Sequence, residues 1–220
     1  MNSIGKGGLQ EQLLEYYERL FSHFGPQKWW PGDSPLEVCV GAILTQNTNW
    51  NNVARAIENL KKAGLLRADA LYSIPAEELA RHIRPAGYYN VKASRLKNFI
   101  NYLWSNHQGR LDKMFDMDME PLRDELLTVK GIGPETADSI LLYGGGKPTF
   151  VIDAYTMRCL RRHDIIDDEC QYEDARRLFM ANLPLDVQLY NEYHALFVAL
   201  GKHYCRPRRP GCNKCPLEGK

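Results

Sequence analysis

Two glycines one residue apart, lying between two helical patterns, constrain the fold more than any other part of the chain. An apolar segment over 126–129 closes the first pattern, and Gly131-Ile132-Gly133-Pro134 follows at once. Glycine permits the tight backbone turn, and Pro134 suits the first turn of a new helix. The stretch therefore predicts two helices joined by a tight hairpin turn.

The same turn has the properties of an anion-binding site. Free N–H groups at a helix N-terminus point outward, and the helix dipole favours negative charge there. The turn holds no acidic residue, and Lys130 directly precedes it, so the backbone of Gly131, Ile132 and Gly133 could meet a nucleic-acid phosphate. An ordinary helical hairpin is the alternative that the glycines alone leave open.

Two further features follow in order along the chain. An apolar run over 150–152 directly precedes Asp153, and Cys205, Cys212 and Cys215 crowd the C-terminus. Together these parts resemble the endonuclease III superfamily of DNA glycosylases, which combine a helix-hairpin-helix, a Gly/Pro-rich loop, an Asp and a Cys-x6-Cys-x2-Cys-x5-Cys iron–sulfur loop. The resemblance covers nearly the whole chain and is nearest to the 3-methyladenine DNA glycosylase branch.

Apolar residues recur at helical spacing, and no strand-like alternation stands out, so we expect an all-α fold. Ser34-Pro35-Leu36-Glu37 predicts a capping box before a buried helix over 36–44, and further helices are predicted over 154–162, 172–182 and 189–204. The resemblance implies a six-helix domain over 34–147, with the helix-hairpin-helix at about 122–143. Residues 1–33 would pack with 148–220 as an iron–sulfur domain, with the active cleft between the two domains.

The composition excludes several classes of protein. The net charge is only +1, so any DNA binding must come from a local patch. Six cysteines, three of them clustered, argue against a secreted disulfide framework. The N-terminus lacks a signal-peptide apolar region, and the longest apolar run, 38–44, is too short to span a bilayer. We expect a cytoplasmic monomer, nucleoid-associated if its source is prokaryotic.

Asp153 is the candidate for the chemistry. A base in duplex DNA must swing out of the stack before it can be excised, and cleaving its N-glycosidic bond builds positive charge on the deoxyribose. A fixed carboxylate can stabilise that charge and orient a water molecule. A plain helix N-cap is the competing role, and one residue can fill both.

The resemblance assigns further positions to DNA and to the flipped base. Gln46 matches the Gln that fills the gap left by the extruded base in the family. Trp50 lies where the alkyl-base branch has an aromatic residue in the base pocket. Trp29 and Trp30 could stack on a cationic base, or could plug a domain junction instead. Glu135 is a candidate pocket residue, or a solvated acid in a first helical turn.

Two departures from the family pattern narrow the expected activity. Bifunctional members carry a Lys that forms a Schiff base at the position of Glu135, so strand nicking by this chain should be absent or weak. The adenine-excising branch has a Glu at the position of Ala42. The remaining pattern implies excision of alkylated purines such as 3-methyladenine, which need no protonation to leave.

The clustered cysteines predict a metal centre. Cys205, Cys212 and Cys215 match the first three ligands of the family's [4Fe–4S] loop, and the fourth would fall immediately after Lys220. Zinc bound by these cysteines and His203 is the alternative. The loop also carries cations that could face DNA phosphates, namely Arg206, Arg208, Arg209 and Lys214.

Three other activities are compatible with the sequence. The chain could be a glycosylase for oxidised pyrimidines or mismatched thymine, a non-catalytic binder of DNA lesions, or a zinc-bound regulator. The favoured interpretation implies double-stranded DNA with a flipped damaged base as the partner.

Overall fold

The computed structural model describes residues 6–219, with side chains from residue 8 onward. All regular structure within these residues is helical, which confirms the predicted all-α class. The α-helices are α1 (Lys6–Phe24), α2 (Pro35–Leu44), α3 (Trp50–Lys62), α4 (Ala68–Ser73), α5 (Ala76–His82), α6 (Tyr89–His107), α7 (Leu111–Phe115), α8 (Met119–Thr128), α9 (Pro134–Ser139), α10 (Ala154–Arg162), α11 (Tyr172–Asn182) and α12 (Val187–His203).

The chain divides into two compact units. One unit is Trp30–Lys147 and holds α2 to α9; the other joins the described residues before Trp30 to those after Lys147 and holds α1 and α10 to α12. The first of these units contains more helices than the expected six, because short segments such as α4 (6 residues) and α7 (5 residues) are counted separately. None of the described helices is both long and apolar enough to cross a membrane.

Helix α2 is the buried centre of the Trp30–Lys147 unit. Ser34 Oγ accepts a hydrogen bond from the Glu37 N–H (3.2 Å), and every residue in Glu37–Leu44 is buried. The predicted capping box forms only in part, because the Glu37 carboxylate accepts from the Asp33 N–H (3.3 Å) and pairs with Lys61 (2.9 Å). The apolar run thus forms the helix that the sequence indicated.

A buried ion pair joins the two helices of the hairpin. Arg123 on α8 donates from Nε to Asp138 Oδ1 (2.8 Å) and from Nη2 to Asp138 Oδ2 (3.0 Å). Both residues are buried, Asp138 completely. A bidentate pair of this kind fixes direction as well as distance, so it holds α8 and α9 in one arrangement.

Aromatic side chains form the core of the other unit. The rings of Phe150 and Phe179 stack with centroids 3.9 Å apart, and those of Tyr193 and Phe197 stack at 4.7 Å. The Tyr193 hydroxyl donates to the Leu13 carbonyl (2.7 Å), which ties α12 to α1. Helices α10 and α11 have the predicted bounds, whereas α12 begins two residues earlier and ends one residue earlier than predicted.

Candidate functional site

The hairpin turn lies between α8 and α9. Gly131 has φ +99°, and a Cβ there would lie 2.3 Å from Arg95 Cγ, so both backbone and packing require glycine. Ile132 is buried, and its N–H donates to the Val129 carbonyl (2.9 Å), which anchors the turn from inside. Gly133 is exposed, and a Cβ there would meet no protein atom within 4 Å. The fold alone therefore does not require glycine at 133.

Gln46 is bonded directly to this turn. Its Nε2 donates to the Gly131 carbonyl (3.1 Å) and to Thr136 Oγ1 (2.8 Å), and its Oε1 accepts from the Arg95 guanidinium. The end of α2, the hairpin and α6 are thereby joined by one polar network. Lys130, next to the turn, has an exposed side chain.

A cavity of about 110 Å³ lies beside the Gln46 network. Its wall includes Tyr88, which is 74% exposed and has φ +45°, so an aromatic ring is presented to solvent. Lys92 is buried, donates from Nζ to the Ala86 carbonyl (2.7 Å), and has a pKa lowered by burial. The lining residues are Gln46, Asn47, Tyr88, Val91, Lys92 and Arg95.

Three aromatic side chains cluster in the same unit. The Trp30 ring lies 5.1 Å from the ring of Trp50, nearly perpendicular at 84°, and 5.1 Å from the ring of Tyr143. Gly41 on α2 leaves room for Trp30, because a Cβ there would be 3.2 Å from Trp30 Cζ2. Trp29 belongs to the other unit, where Lys202 Nζ lies 6.0 Å from its ring.

Glu135, the other predicted pocket residue, lies in the first turn of α9 with an exposed side chain. Its backbone carbonyl accepts from Ser139 Oγ (2.7 Å). This position is open to solvent.

Asp153 is the N-cap residue of α10. Its Oδ1 accepts from the Thr156 N–H (2.7 Å) and from Thr156 Oγ1 (2.9 Å), while its Oδ2 lies 3.5 Å from His194 Nε2 on α12. Burial by itself raises the pKa of Asp153, but the contacts with His194 and Thr156 outweigh burial and hold that pKa below its ordinary value of 3.8. The carboxylate is therefore fixed and ionised at neutral pH.

The three C-terminal cysteines line one cavity of about 280 Å³. Arg162 Nη1 donates to Cys205 Sγ (3.3 Å), and the Cys159 thiol with this guanidinium lowers the pKa of Cys205 to about 5. No group of three or more His, Cys, Asp or Glu side chains among residues 8–219 is already gathered as a metal site. The donor chemistry nevertheless suits a thiolate-bound metal, because the thiolate is the form that binds metals.

Residues 40–185 match the family model described as HhH-GPD superfamily base excision DNA repair protein. The chain belongs to this superfamily. A putative DNA repair glycosylase of Methanocaldococcus jannaschii is 44% identical over 210 residues, which cover 94% of each chain.

Two solved structures extend this finding. The Helicobacter pylori 3-methyladenine DNA glycosylase bound to 1,N6-ethenoadenine has a TM-score of 0.75 and 29% identity, covering 88% of this chain and 97% of that one. A non-covalent endonuclease III–DNA complex has a TM-score of 0.80 and 20% identity, covering 94% and 92%, and shows the shared fold.

Membership of the HhH-GPD superfamily confirms the predicted family and identifies the chain as a DNA glycosylase of base excision repair. The matched segment contains Gln46, the hairpin and Asp153, whereas the cysteine loop lies beyond it. Which base a superfamily member removes depends on its own site residues, because a fold does not fix a substrate.

Three residues of the HhH-GPD chain contact the predicted site residues although the sequence did not single them out. Arg95 contacts Gln46, but nothing in the sequence distinguishes it from the other basic residues of α6. Tyr143 contacts Trp30 from a π-helical turn, Ile140–Gly144, which apolar spacing does not mark. His194 does have a signal, because it is an ionisable residue within the otherwise apolar stretch of α12.

Proposed function

We propose that the chain hydrolyses the N-glycosidic bond of alkylated purines in duplex DNA without nicking the strand. One observation carries the proposal: Asp153 is an ionised carboxylate, 11% exposed, whose Oδ1 is fixed by two bonds from Thr156. A fixed negative charge stabilises developing positive charge more effectively than a mobile one, because it needs no reorganisation during the reaction.

In the proposed reaction the bond between the sugar C1′ and the base nitrogen breaks, and its electron pair leaves with the base. Positive charge then develops on the deoxyribose, as in other glycoside hydrolyses. The Asp153 carboxylate stabilises this charge and orients a water molecule, whose oxygen bonds to C1′ and whose proton passes to solvent through the carboxylate. An alkylated purine that already carries positive charge departs neutral and needs no acid.

The monofunctional assignment and the alkylated substrate rest on different residues. Glu135 occupies the family's Schiff-base position, and a carboxylate cannot form an imine. The Trp30, Trp50 and Tyr143 cluster supplies aromatic faces, and a cation over such a face gains about 0.5–2 kcal/mol. The similar Helicobacter protein, a 3-methyladenine DNA glycosylase, favours the same substrate class.

The hairpin is the proposed binding site for a DNA phosphate. The exposed Gly133 leaves the turn backbone open to a close approach, and Lys130 adds an exposed cation beside it. In the proposal Gln46 leaves its bonds to the hairpin to fill the gap in the stack. The solved complex of endonuclease III with DNA shows that this fold accommodates a duplex.

A [4Fe–4S] cluster is the proposed cofactor. Cys205, Cys212 and Cys215 would hold it, and their shared cavity and the lowered pKa of Cys205 suit thiolate ligands. The bound cluster would supply structural support for the loop that carries Arg206 and Arg208. Iron and acid-labile sulfide in the purified protein test this assignment, and zinc in their place would contradict it.

Base release from a panel of duplexes tests the function. The panel contains methylated purines, oxidised pyrimidines and a G·T mismatch, and free base and strand breaks are scored separately. We expect methylated purines to be released without breaks, and Asp153→Asn to slow release about 10²–10³-fold. Asp186→Asn is the matched control, because Asp186 caps α12 in the same way, with Oδ1 accepting from the Leu189 N–H (2.7 Å).

Two results would redirect the proposal. Release of oxidised pyrimidines or thymine with covalent trapping by borohydride would favour an endonuclease III-like enzyme, since trapping requires an amine. Binding of lesion DNA with no release from any duplex would instead favour a non-catalytic lesion binder.

A further inference from the structure

Thr156 bonds to Oδ1 of the Asp153 carboxylate, and the His194 side chain faces the other oxygen, Oδ2. His194 lies on α12 with Nε2 3.5 Å from Asp153 Oδ2, and the two side chains are only 6% and 11% exposed. Its neighbours along the helix, Tyr193 and Ala195, are buried and belong to the core. Burying an imidazole in such surroundings is unfavourable unless it meets a polar group, and the Asp153 carboxylate, 3.5 Å from Nε2, can serve as one.

The helices that carry this pair approach each other closely. A Cβ at Gly201 on α12 would lie 2.1 Å from Tyr155 Cδ1, so the second residue of α10 packs against the bare backbone of α12. Gly201 lies seven residues after His194, which is about two turns along the same face of the helix. The distance between His194 and Asp153 is therefore set by tight helix packing within one unit.

We infer that His194 is a positioning residue for Asp153, with the imidazole donating from Nε2 to Oδ2. This inference rests on the proposed function. Thr156 holds Oδ1 only, so a second contact on Oδ2 is needed to fix the plane of the carboxylate. A donor on Oδ2 achieves this and keeps the carboxylate aimed at the developing cation on the sugar.

The test uses two probes that do not depend on the damaged base. One duplex carries a cationic pyrrolidine in place of one deoxyribose, which mimics the charged sugar, and the other carries a neutral tetrahydrofuran at the same position. The ratio of their dissociation constants reports how well the Asp153 charge is placed. A general loss of structure would weaken both complexes and leave the ratio unchanged.

His194→Phe keeps a flat ring and removes both nitrogens, whereas His194→Gln keeps a donor at the reach of Nε2. We expect the wild type to prefer the pyrrolidine duplex, His194→Phe to reduce this preference about tenfold, and His194→Gln to restore most of it. In the Asp153→Asn background, His194→Phe should leave the ratio unchanged. If His194→Phe does not fold, as judged by thermal unfolding, His194→Leu takes its place.

Three outcomes would overturn the inference. An unchanged ratio in His194→Phe means that the imidazole does not position the carboxylate. An equal loss in the Asp153→Asn background means that His194 acts through another group. No preference in the wild type contradicts the role of Asp153 itself, and the proposed function and the inference then fail together, whereas in the first two cases only the inference fails.

Discussion

Asp138 is completely buried and the Asp153 side chain is 11% exposed, and the oxygens of the two carboxylates are engaged in different ways. Asp138 receives both bonds from one guanidinium, Arg123, at 2.8 and 3.0 Å. Asp153 has one oxygen held by Thr156, and the other lies 3.5 Å from a histidine. A fixed cation matches the charge of Asp138, which suits a structural joint, while Asp153 keeps negative charge that a reaction can use.

The largest expected effect on stability belongs to the Asp138 pair. Asp138→Asn or Arg123→Leu removes one charge of a buried ion pair and leaves the other buried, which should lower the free energy of unfolding by about 3–5 kcal/mol. The double variant Arg123→Leu/Asp138→Leu should cost less than either single change, because no charge then remains buried. Urea unfolding of the three variants measures this. Single changes that cost less than about 1 kcal/mol would show that Asp138 is not a structural joint.

A smaller effect is expected from the capping role of Asp153. Asp153→Ala should lower the free energy of unfolding by about 1 kcal/mol, whereas Asp153→Asn should change it little, because Asn caps a helix as well as Asp does. Asp186→Ala at the exposed cap of α12 provides the reference value. Should Asp153→Asn destabilise the protein as much as Asp138→Asn does, the contrast between the two aspartates would disappear.

The smallest effect concerns pH. Since the pKa of Asp153 lies below 3.8 in the folded protein, its ionised form stabilises the fold at pH values above 3.8, and this stabilisation is lost as the pH falls below that value. The free energy of unfolding of the wild type should therefore fall relative to that of Asp153→Asn as the pH is lowered below 3.8. Denaturant titrations at a series of pH values follow this difference. A constant difference would mean that folding does not change the pKa.

Much of the fold could be predicted because helices follow from local patterns. The bounds of α10 and α11 match the apolar spacing. Pro35 lies at the start of α2, and Gly131 has the positive φ that a tight turn requires. Asp153 could be singled out because it follows an apolar run at a helix start.

The partners of the site residues could not be predicted in the same way. His194 faces Asp153 from 41 residues away, and Arg95 reaches Gln46 from 49 residues away. Such contacts depend on how helices pack, and helical periodicity does not show which residues meet across two helices. The capping box forms only in part for a related reason, since Lys61 on α3 binds the Glu37 side chain.

The empty space around the Cβ position of Gly133 has a consequence for how variants of this protein are screened. An alanine at 133 would leave the core and the buried ion pair untouched and would weaken only the N-cap of α9, where Gly133 lies, so melting temperature and expression level would change little. The larger loss would emerge only when a DNA duplex binds against the turn. Screens that measure stability alone therefore do not detect the effect of a substitution at this position on DNA binding.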